Sequence, residues 1–247
     1  MIDGHSMVLA SDDRYPPFAM AKGQYEVETT RLFKRILEPG MTVIDVGAHV
    51  GYYALLAARQ VGPSGRVFSF EPEPSNYDLL MRNIQLNGYT NIQAVNKAVS
   101  SRAGSTTLFL TALDNGRHSL YRQAQPESGR IEVETTTLDA FFEAEGWPGV
   151  DLVKIDVEGA EMDVLEGMGQ LLKKSNNLKL IVEFNPSLLR GAGVDLHQFL
   201  GRPASWGFEA ACIDNKNGLL PLQTLDTSSL IDSLLTAEGS VNLYWTK

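Results

Sequence analysis

One cysteine, Cys212, is all that the 247-residue chain contains, which excludes an intrachain disulfide and any multi-cysteine metal centre. Near the end of the apolar run FEAACI it reads as a small buried core residue. Basic residues are also few. Against 30 Asp and Glu stand 21 Lys and Arg, a net charge of −9, and this argues against a nucleic-acid partner, whose phosphates are held by Lys and Arg. An acidic site suits a neutral or cationic ligand instead. No apolar run approaches the ~20 residues that span a bilayer, so no membrane span is expected. The opening MIDGHSMVLASDDRYPPF lacks the basic and apolar parts of a secretory signal, leaving a cytoplasmic protein as the expectation. A homo-oligomer is neither required nor excluded.

Two glycine motifs are missing as well. The spacing G-x-G-x-x-G, which wraps a dinucleotide pyrophosphate, does not occur after the first strand run, and this counts against a nicotinamide-dependent oxidoreductase. A G-x-x-x-x-G-K-[ST] loop is absent, so a triphosphate is not expected.

What the chain does have is a regular alternation of apolar runs and helical segments. MTVIDV (41–46), RVFSFEP (66–72), IQAVNKAV (92–99), STTLFL (105–110), IEVETTTL (131–138), VDLVKIDV (150–157), LKLIVEF (178–184), FEAACID (208–214) and VNLYWT (241–246) read as strands. YEVETTRLFKRIL, VGYYALLAARQV, SNYDLLMRNIQLNG, AEMDVLEGMGQLLKK and DLHQFLGRPASWG read as helices. The pattern predicts an α/β fold with a mostly parallel sheet and helices on both faces. Residues 1–24 read as an arm or lid and 25–247 as a single domain, with a substrate-side insertion near 111–130. His5, in the arm, is expected to be disordered.

The most informative stretch is TVIDVGAHVGYYALLAA, a strand turning into a helix through D-x-G-x-H-x-G. Unpaired N–H groups at the start of such a helix, and a chain that can approach closely, make this turn a common ligand site. An acid before the first glycine, Asp45, would repel a phosphate and welcome an ammonium, as at the amino acid end of S-adenosylmethionine. Glu71, at the end of the next strand, can accept hydrogen bonds from two ribose hydroxyls. The competing role for both acids is to cap the following helices. His49 occupies a slot where positive φ is needed, and after glycine the residues that tolerate it best are Asn, Asp and His.

VIDVGAHVGYYALLAA, VFSFEPEPSNYDLLMRNIQLN, VNKAVS and LVKIDVEGAEMDVLEGM together resemble the FkbM family of S-adenosylmethionine-dependent methyltransferases, over roughly residues 25–185. The resemblance implies a Rossmann-like class I methyltransferase fold: a seven-stranded sheet with its last strand antiparallel. It also implies methylation of a hydroxyl on a small molecule such as a sugar or natural product. By position, the cofactor's amino acid end falls near Asp45, Gly47 and Gly51, its ribose at Glu71, and its adenine near Asn76, Asn96, Lys97 and Ala98. His49 stands where the family usually has Asn. The helix-opening segment with Tyr25, Glu26 and Glu28 is expected to close over the cofactor, with Glu28 taken as its contact. The family's SL element corresponds to NGRHSL, giving His118 and Ser119 as substrate candidates.

Transfer to a hydroxyl needs alignment and a proton acceptor. Asp156, Glu158 and Glu183 are the catalytic candidates, and Asp156 also falls beside the cofactor. Asp156 ends a strand, where ligands of open α/β sheets bind. Glu158 and Glu161 stand equally well as acids of a first helical turn. Glu183 interrupts an apolar strand, where an ionised group needs a partner or a ligand; a plain hydrogen-bonding role competes with catalysis. Asn185, nearby, is a third substrate candidate. Asp156, Glu183 and Asn185 offer oxygens that could hold Mg²⁺, but no metal is assigned. Transfer to nitrogen, to a lipid or peptide, or a cofactor-binding protein without catalysis, are the alternatives.

Overall fold

The computed structural model describes residues 1–9, 19–20, 22–23, 25–112, 115–214 and 218–247. Its strands are β1 (Thr42–Val46), β2 (Arg66–Phe70), β3 (Ile92–Val95), β4 (Ala98–Val99), β5 (Gly104–Thr111), β6 (Glu127–Thr136), β7 (Leu152–Ile155), β8 (Lys179–Phe184), β9 (Glu209–Asp214), β10 (Gly218–Pro221) and β11 (Val241–Thr246). Its helices are α1 (Val27–Ile36), α2 (Tyr52–Val61), α3 (Pro74–Asn87), α4 (Leu138–Ala144), α5 (Glu161–Glu166), α6 (Gly169–Lys174), α7 (Pro186–Gly191), α8 (Leu196–Ser205) and α9 (Thr227–Ala237).

The main sheet has the order β3-β2-β1-β7-β8-β11-β9-β10. The first five strands run parallel, and β11 is antiparallel to both neighbours. The seven-stranded arrangement with an antiparallel last strand is therefore present. An eighth strand, β10, extends it as a hairpin with β9; GLLP is too short to stand out as a strand in sequence. Every residue of β1 is buried, since helices cover both faces, and that explains its unbroken apolar reading. Val43 belongs to the core under α1 and α2, whereas Ile44 and Val46 belong to the core on the opposite face.

After β3 the chain makes a second, three-stranded sheet, β4-β6-β5. The β5–β6 hairpin falls where an insertion is expected near 111–130; residues 127–130 are part of β6, and 113–114 lie outside the described residues. The chain then returns through α4 to β7 on the other side of β1. The strand order thus reverses between β1 and β7, and the crevice outside the carboxyl ends at such a point is where open α/β sheets bind ligands.

Three local differences from the sequence reading have clear causes. AEMDVLEGMGQLLKK is broken into α5 and α6 because Gly167 is pressed on the neighbouring chain, where a Cβ would lie 2.2 Å from the Ser100 carbonyl oxygen. His5 is buried, and its ring is hydrogen-bonded to the Tyr89 hydroxyl at 2.8 Å, so it is ordered. The expected arm is in part docked: the Ser6 and Val8 N–H groups donate to the side chains of Asn87 and Asn83 on α3. The rest of the 1–24 arm, at 10–18, 21 and 24, lies outside the described residues. Cys212 is buried in β9, as expected. Among the described residues no helix is long and apolar enough to cross a membrane.

Candidate active site

The β1–α2 turn is shaped by contact as much as by conformation. Gly47 has φ 82°, and a Cβ there would lie 1.8 Å from the Asp156 carbonyl oxygen. Gly51, with φ 96°, starts α2 and packs on α3, where a Cβ would meet Leu80 Cδ1 at 2.7 Å. It is a packing glycine and does not line the cleft. His49 takes φ 50°, the left-handed conformation its slot demands. Its Nε2 is hydrogen-bonded to Asn115 Oδ1 at 2.6 Å.

Glu71 ties this turn to the next strand end. Its Oε2 accepts from the His49 N–H at 2.8 Å and its Oε1 from the Glu73 N–H at 3.0 Å. Burial lifts its pKa to about 7, with the two N–H bonds pulling the other way. Capping of α3 falls to Glu73, which accepts from the Asn76 N–H at 2.7 Å. Asn76 donates through Nδ2 to the Asn115 carbonyl at 2.9 Å, while its buried Oδ1 has no partner. Asn96 lies behind the site. Its amide donates to the carbonyls of Glu71 and Pro72, bracing the strand end and lining no part of the cleft. Lys97 and Ala98 line the cleft, but the Lys97 ammonium points out to Glu134 at 2.8 Å.

Two lobes meet at Gly47, His49 and Asp156. The larger, about 530 Å³, is lined by Glu71, Asn76, Ala98, Leu108, Asn115 and His118 among others. The smaller, about 270 Å³, is lined by Met20, Tyr25, Asp45, Tyr52, Tyr53 and Lys154.

The floor of the smaller lobe follows from the strand register. Asp45 pairs with Lys154 across β1 and β7, and Glu183 with Asn242 across β8 and β11, all on the face that carries α1 and α2. Lys154 is buried, with Nζ donating to Asp156 Oδ2 at 2.7 Å and lying 4.5 Å from the centre of the Tyr53 ring. Asp45 is 1% exposed, and its Oδ2 has no partner. Burial raises its pKa to about 6, against the pull of Lys154. Glu26 completes the cluster, accepting from the Tyr53 hydroxyl at 2.7 Å and from Asn242 Nδ2 at 3.3 Å.

Of the two acids at the start of α1, Glu26 just before it and Glu28 in its first turn, it is Glu26 that turns inward. Glu28 forms an ion pair with Arg31 one turn along the helix and lines neither lobe. The difference arises because Glu26 is in the left-handed conformation at the helix start, φ 41°, so the chain enters the helix with that side chain toward the sheet.

At the carboxyl ends of β7 and β8, carboxylate oxygens of Asp156, Glu158 and Glu183 lie within 4.8 Å of one another. Two unit charges at that separation repel by about 3–4 kcal/mol at an effective dielectric of ~20. Burial, then the charges of Asp156 and Glu158, hold the Glu183 pKa well above the usual carboxylate range. Glu161 is different: fully buried, it accepts from the N–H groups of Val157 and Gly159 at 3.1 Å. That brace holds the loop in which Glu158 has φ 54°.

Of the three substrate candidates, only His118 lines the cleft. Ser119 is 1% exposed, and its hydroxyl donates to the Glu158 carbonyl at 2.7 Å, so it fastens the insertion to the sheet. Asn185 caps α7, accepting from the Leu188 N–H at 3.3 Å. Among the residues that sequence reasoning left out, Tyr52 and Tyr53 carried a visible signal, a pair of aromatics opening the helix after the glycine turn. Asn115 carried none.

Raised carboxylate pKa values have a measurable consequence. A folded pKa above the unfolded value contributes stability that is complete below the unfolded pKa and is lost as pH rises through the folded one. With Glu71 and Glu161 at about 7 and Asp45 at about 6, these groups make the ligand-free protein lose stability from about pH 4 to pH 7. Glu71→Gln, neutral throughout, is expected to flatten part of that fall. Denaturant midpoints at pH 5.5 and 8 test it, and an unchanged difference in the variant would count against it.

Comparison with known proteins gives the family and the fold. The model of the methyltransferase FkbM domain matches residues 45–209. Methyltransferase sdnD of Sordaria araneosa is 27% identical over 201 residues, 66% of this chain and 76% of that protein. The hexuronic acid methyltransferase AglP of Haloferax volcanii is 30% identical over 171 residues, 69% of this chain and 64% of its own length. Among solved structures, an O-methyltransferase from Bacillus cereus in complex with SAH shares the fold at a TM-score of 0.50 and 14% identity, covering 97% of this chain and 84% of that one.

Proposed function

The chain belongs to the methyltransferase FkbM domain family, and from that premise we propose that it transfers a methyl group from S-adenosylmethionine to a hydroxyl oxygen of a small molecule such as a sugar or natural product. The observation that carries the cofactor assignment is a pair of buried acceptors without partners. Asp45 Oδ2 and Asn76 Oδ1, one in each lobe of the cleft, are left for hydrogen-bond donors of a ligand. Unpaired buried polar atoms are uncommon and call for an explanation. The amino acid end suits the Asp45 lobe, the ribose hydroxyls suit Glu71, and the adenine suits Asn76 with the chain at Lys97 and Ala98. Gly47 and His49 line both lobes, where the backbone must approach the ligand. When bound, S-adenosylmethionine supplies a methyl carbon on a positively charged sulfur, which leaves as a neutral thioether as the C–S bond breaks and the C–O bond forms.

Asp156 lines both lobes and so faces the junction where the acceptor hydroxyl has to arrive. Lys154 orients it through the 2.7 Å bond to Oδ2. In this role Asp156 accepts the hydroxyl proton as the oxygen takes the methyl group. Glu158 and Glu183 border the acceptor. Residues 25–247 are taken to act as one methyltransferase unit, with Asn115, Gly116, His118 and Leu120 along the cleft. The names of sdnD, a methyltransferase, and AglP, which acts on hexuronic acid, support the general class.

Addition of S-adenosylhomocysteine at about 100 times its dissociation constant is expected to add about 2.7 kcal/mol of stability, visible as a thermal shift that NAD does not give. No shift in folded protein free of bound cofactor would overturn the assignment. Methyl transfer from labelled cofactor to a panel of glycosides tests catalysis, and the product's carbon spectrum separates O-methyl from N-methyl. Asp156→Asn is expected to lower turnover by about 10²–10⁴-fold; full turnover in that variant would remove Asp156 as the proton acceptor.

A further inference from the structure

We infer that Asp3 is a positioning residue for the amino acid end of the cofactor, acting through the Tyr52 hydroxyl. The inference rests on the methyltransferase reading above and gives the N-terminal segment a part in it. Ile2 and His5 exchange backbone hydrogen bonds of 2.8 Å across a tight turn whose two central residues, Asp3 and Gly4, have φ 48° and 84°. Two-residue turns of this kind need positive φ at both central positions. The turn sets Asp3 between α1 and α2. Its Oδ2 accepts from the Tyr52 hydroxyl of α2 at 2.6 Å, its Oδ1 pairs with Lys34 of α1, and its carbonyl accepts from Arg59 Nη1 of α2 at 3.2 Å.

From Asp3 a line of hydroxyls runs into the site. Thr30 Oγ1 of α1 lies 3.2 Å from the Tyr52 hydroxyl and 3.4 Å from that of Tyr53, which in turn donates to Glu26 at 2.7 Å. Thr30, Tyr52 and Tyr53 are all buried. A carboxylate therefore ends the line on each side, Glu26 toward the sheet and Asp3 toward the outside. The rings repeat the connection. Tyr52 stands edge-on to Tyr25 and Tyr53, with centres 5.2 and 5.1 Å apart, and the Tyr53 ring receives the Lys154 ammonium. Tyr25, Tyr52 and Tyr53 all line the smaller lobe, the one that suits the amino acid end, so the hold of Asp3 on Tyr52 bears directly on the ligand wall.

A second line of contact is independent of Asp3. Asn83 of α3, fully buried, accepts from the Val8 N–H at 2.6 Å and donates to the Val8 carbonyl at 3.0 Å, and the same amide donates to the Val50 carbonyl at 2.8 Å. Val50 lies between His49 and Gly51 in the glycine turn. The segment is thus held in register with the ligand turn near one end and with the wall of the smaller lobe near the other. Docking alone does not require the Asp3 carboxylate, since Ile2 is buried in the core under α1 and α2. Only a quarter of that side chain is exposed. Burying most of a carboxylate is costly without partners, and the partners here fix a tyrosine that faces the ligand.

The test compares S-adenosylhomocysteine with 5′-methylthioadenosine, which keeps the adenosine and the sulfur and lacks the amino acid end, each titrated by calorimetry into the full chain. Asp3→Ala is expected to weaken S-adenosylhomocysteine about tenfold, the weight of one hydrogen bond to a charged group, and to leave 5′-methylthioadenosine unchanged. Tyr52→Phe is expected to act in the same way, and the two substitutions together to do no more than either alone, because both remove one bond. Asp3→Asn keeps an oxygen for the hydroxyl and is expected to restore most of the affinity. Full affinity in Asp3→Ala, or additive effects of the two substitutions, would overturn the inference. So would an equal loss for both ligands, which would mark a general loosening of the fold. Failure of the unaltered protein to bind S-adenosylhomocysteine strikes the methyltransferase reading itself, whereas binding without this discrimination strikes only the role of Asp3.

Discussion

Lys154→Met is expected to destabilise the fold by about 3–5 kcal/mol near neutral pH, the usual effect of removing one partner from a buried charged pair. Methionine matches much of the lysine stem in length and apolar character, so the loss isolates the ammonium. That ammonium bonds Asp156 and faces Asp45 and Glu26, all on the face beneath α1. Its own pKa is raised, so its contribution is complete through the neutral range and is lost only at strongly alkaline pH. Without it, Asp45 and Glu26, whose pKa values already lie above the ordinary range, must be ionised without compensation or take up protons. The deficit should therefore narrow as pH falls from 8 to 5. Denaturant unfolding of both proteins at the two pH values measures this; equal stability at pH 8 would show that the carboxylates are satisfied in some other way.

Gly47→Ala carries the second large effect, a loss of about 2–5 kcal/mol together with loss of binding to S-adenosylhomocysteine. Left-handed backbone costs an L-residue about 1–2 kcal/mol, and forcing an atom into a filled space costs about 1–3 kcal/mol more. The space is filled by the Asp156 carbonyl, part of the rigid chain leaving β7, at 1.8 Å from the new Cβ. Gly88→Ala separates the two contributions. It has φ 67° at the end of α3 with nothing within 4 Å of its Cβ position, so only the conformational part applies. Thermal unfolding of the two variants should differ clearly, and similar midpoints would mean that the β1–α2 and β7–α5 turns can move apart.

Much of this architecture was legible because it is periodic. From 41 to 99 the central strands β1 and β2 are buried almost throughout and each helix ends on recognisable chemistry, as α3 does at Asn87 and Gly88. Asp45, Gly47, His49, Glu71 and Asp156 could be placed together since all follow directly from strand ends. Legibility fails where the backbone leaves the periodic elements. Glu26 and Glu28 are two residues apart and of one chemistry, and only a left-handed residue at the helix start decides which faces the sheet. Ser119 and Asn185 look like ligand contacts in sequence, yet their side chains are spent on local hydrogen bonds. Asn115 reaches His49 only because the hairpin of a second sheet, pairing Gly104 with Thr135 and Thr111 with Glu127, turns its loop back over the cleft.

The place of β11 bears on how the molecule is made. It lies between β8 and β9 and pairs with both, so β9 and β10 join the sheet only through the final strand. During synthesis from the N-terminus, β8 can dock on β7 early, but its free edge has no partner until residues 241–246 have emerged. An unpaired edge of that kind invites association with other chains. A ribosome stalled before Val241 would leave it exposed on an otherwise nearly complete core, and chaperone capture at that length would mark the interval.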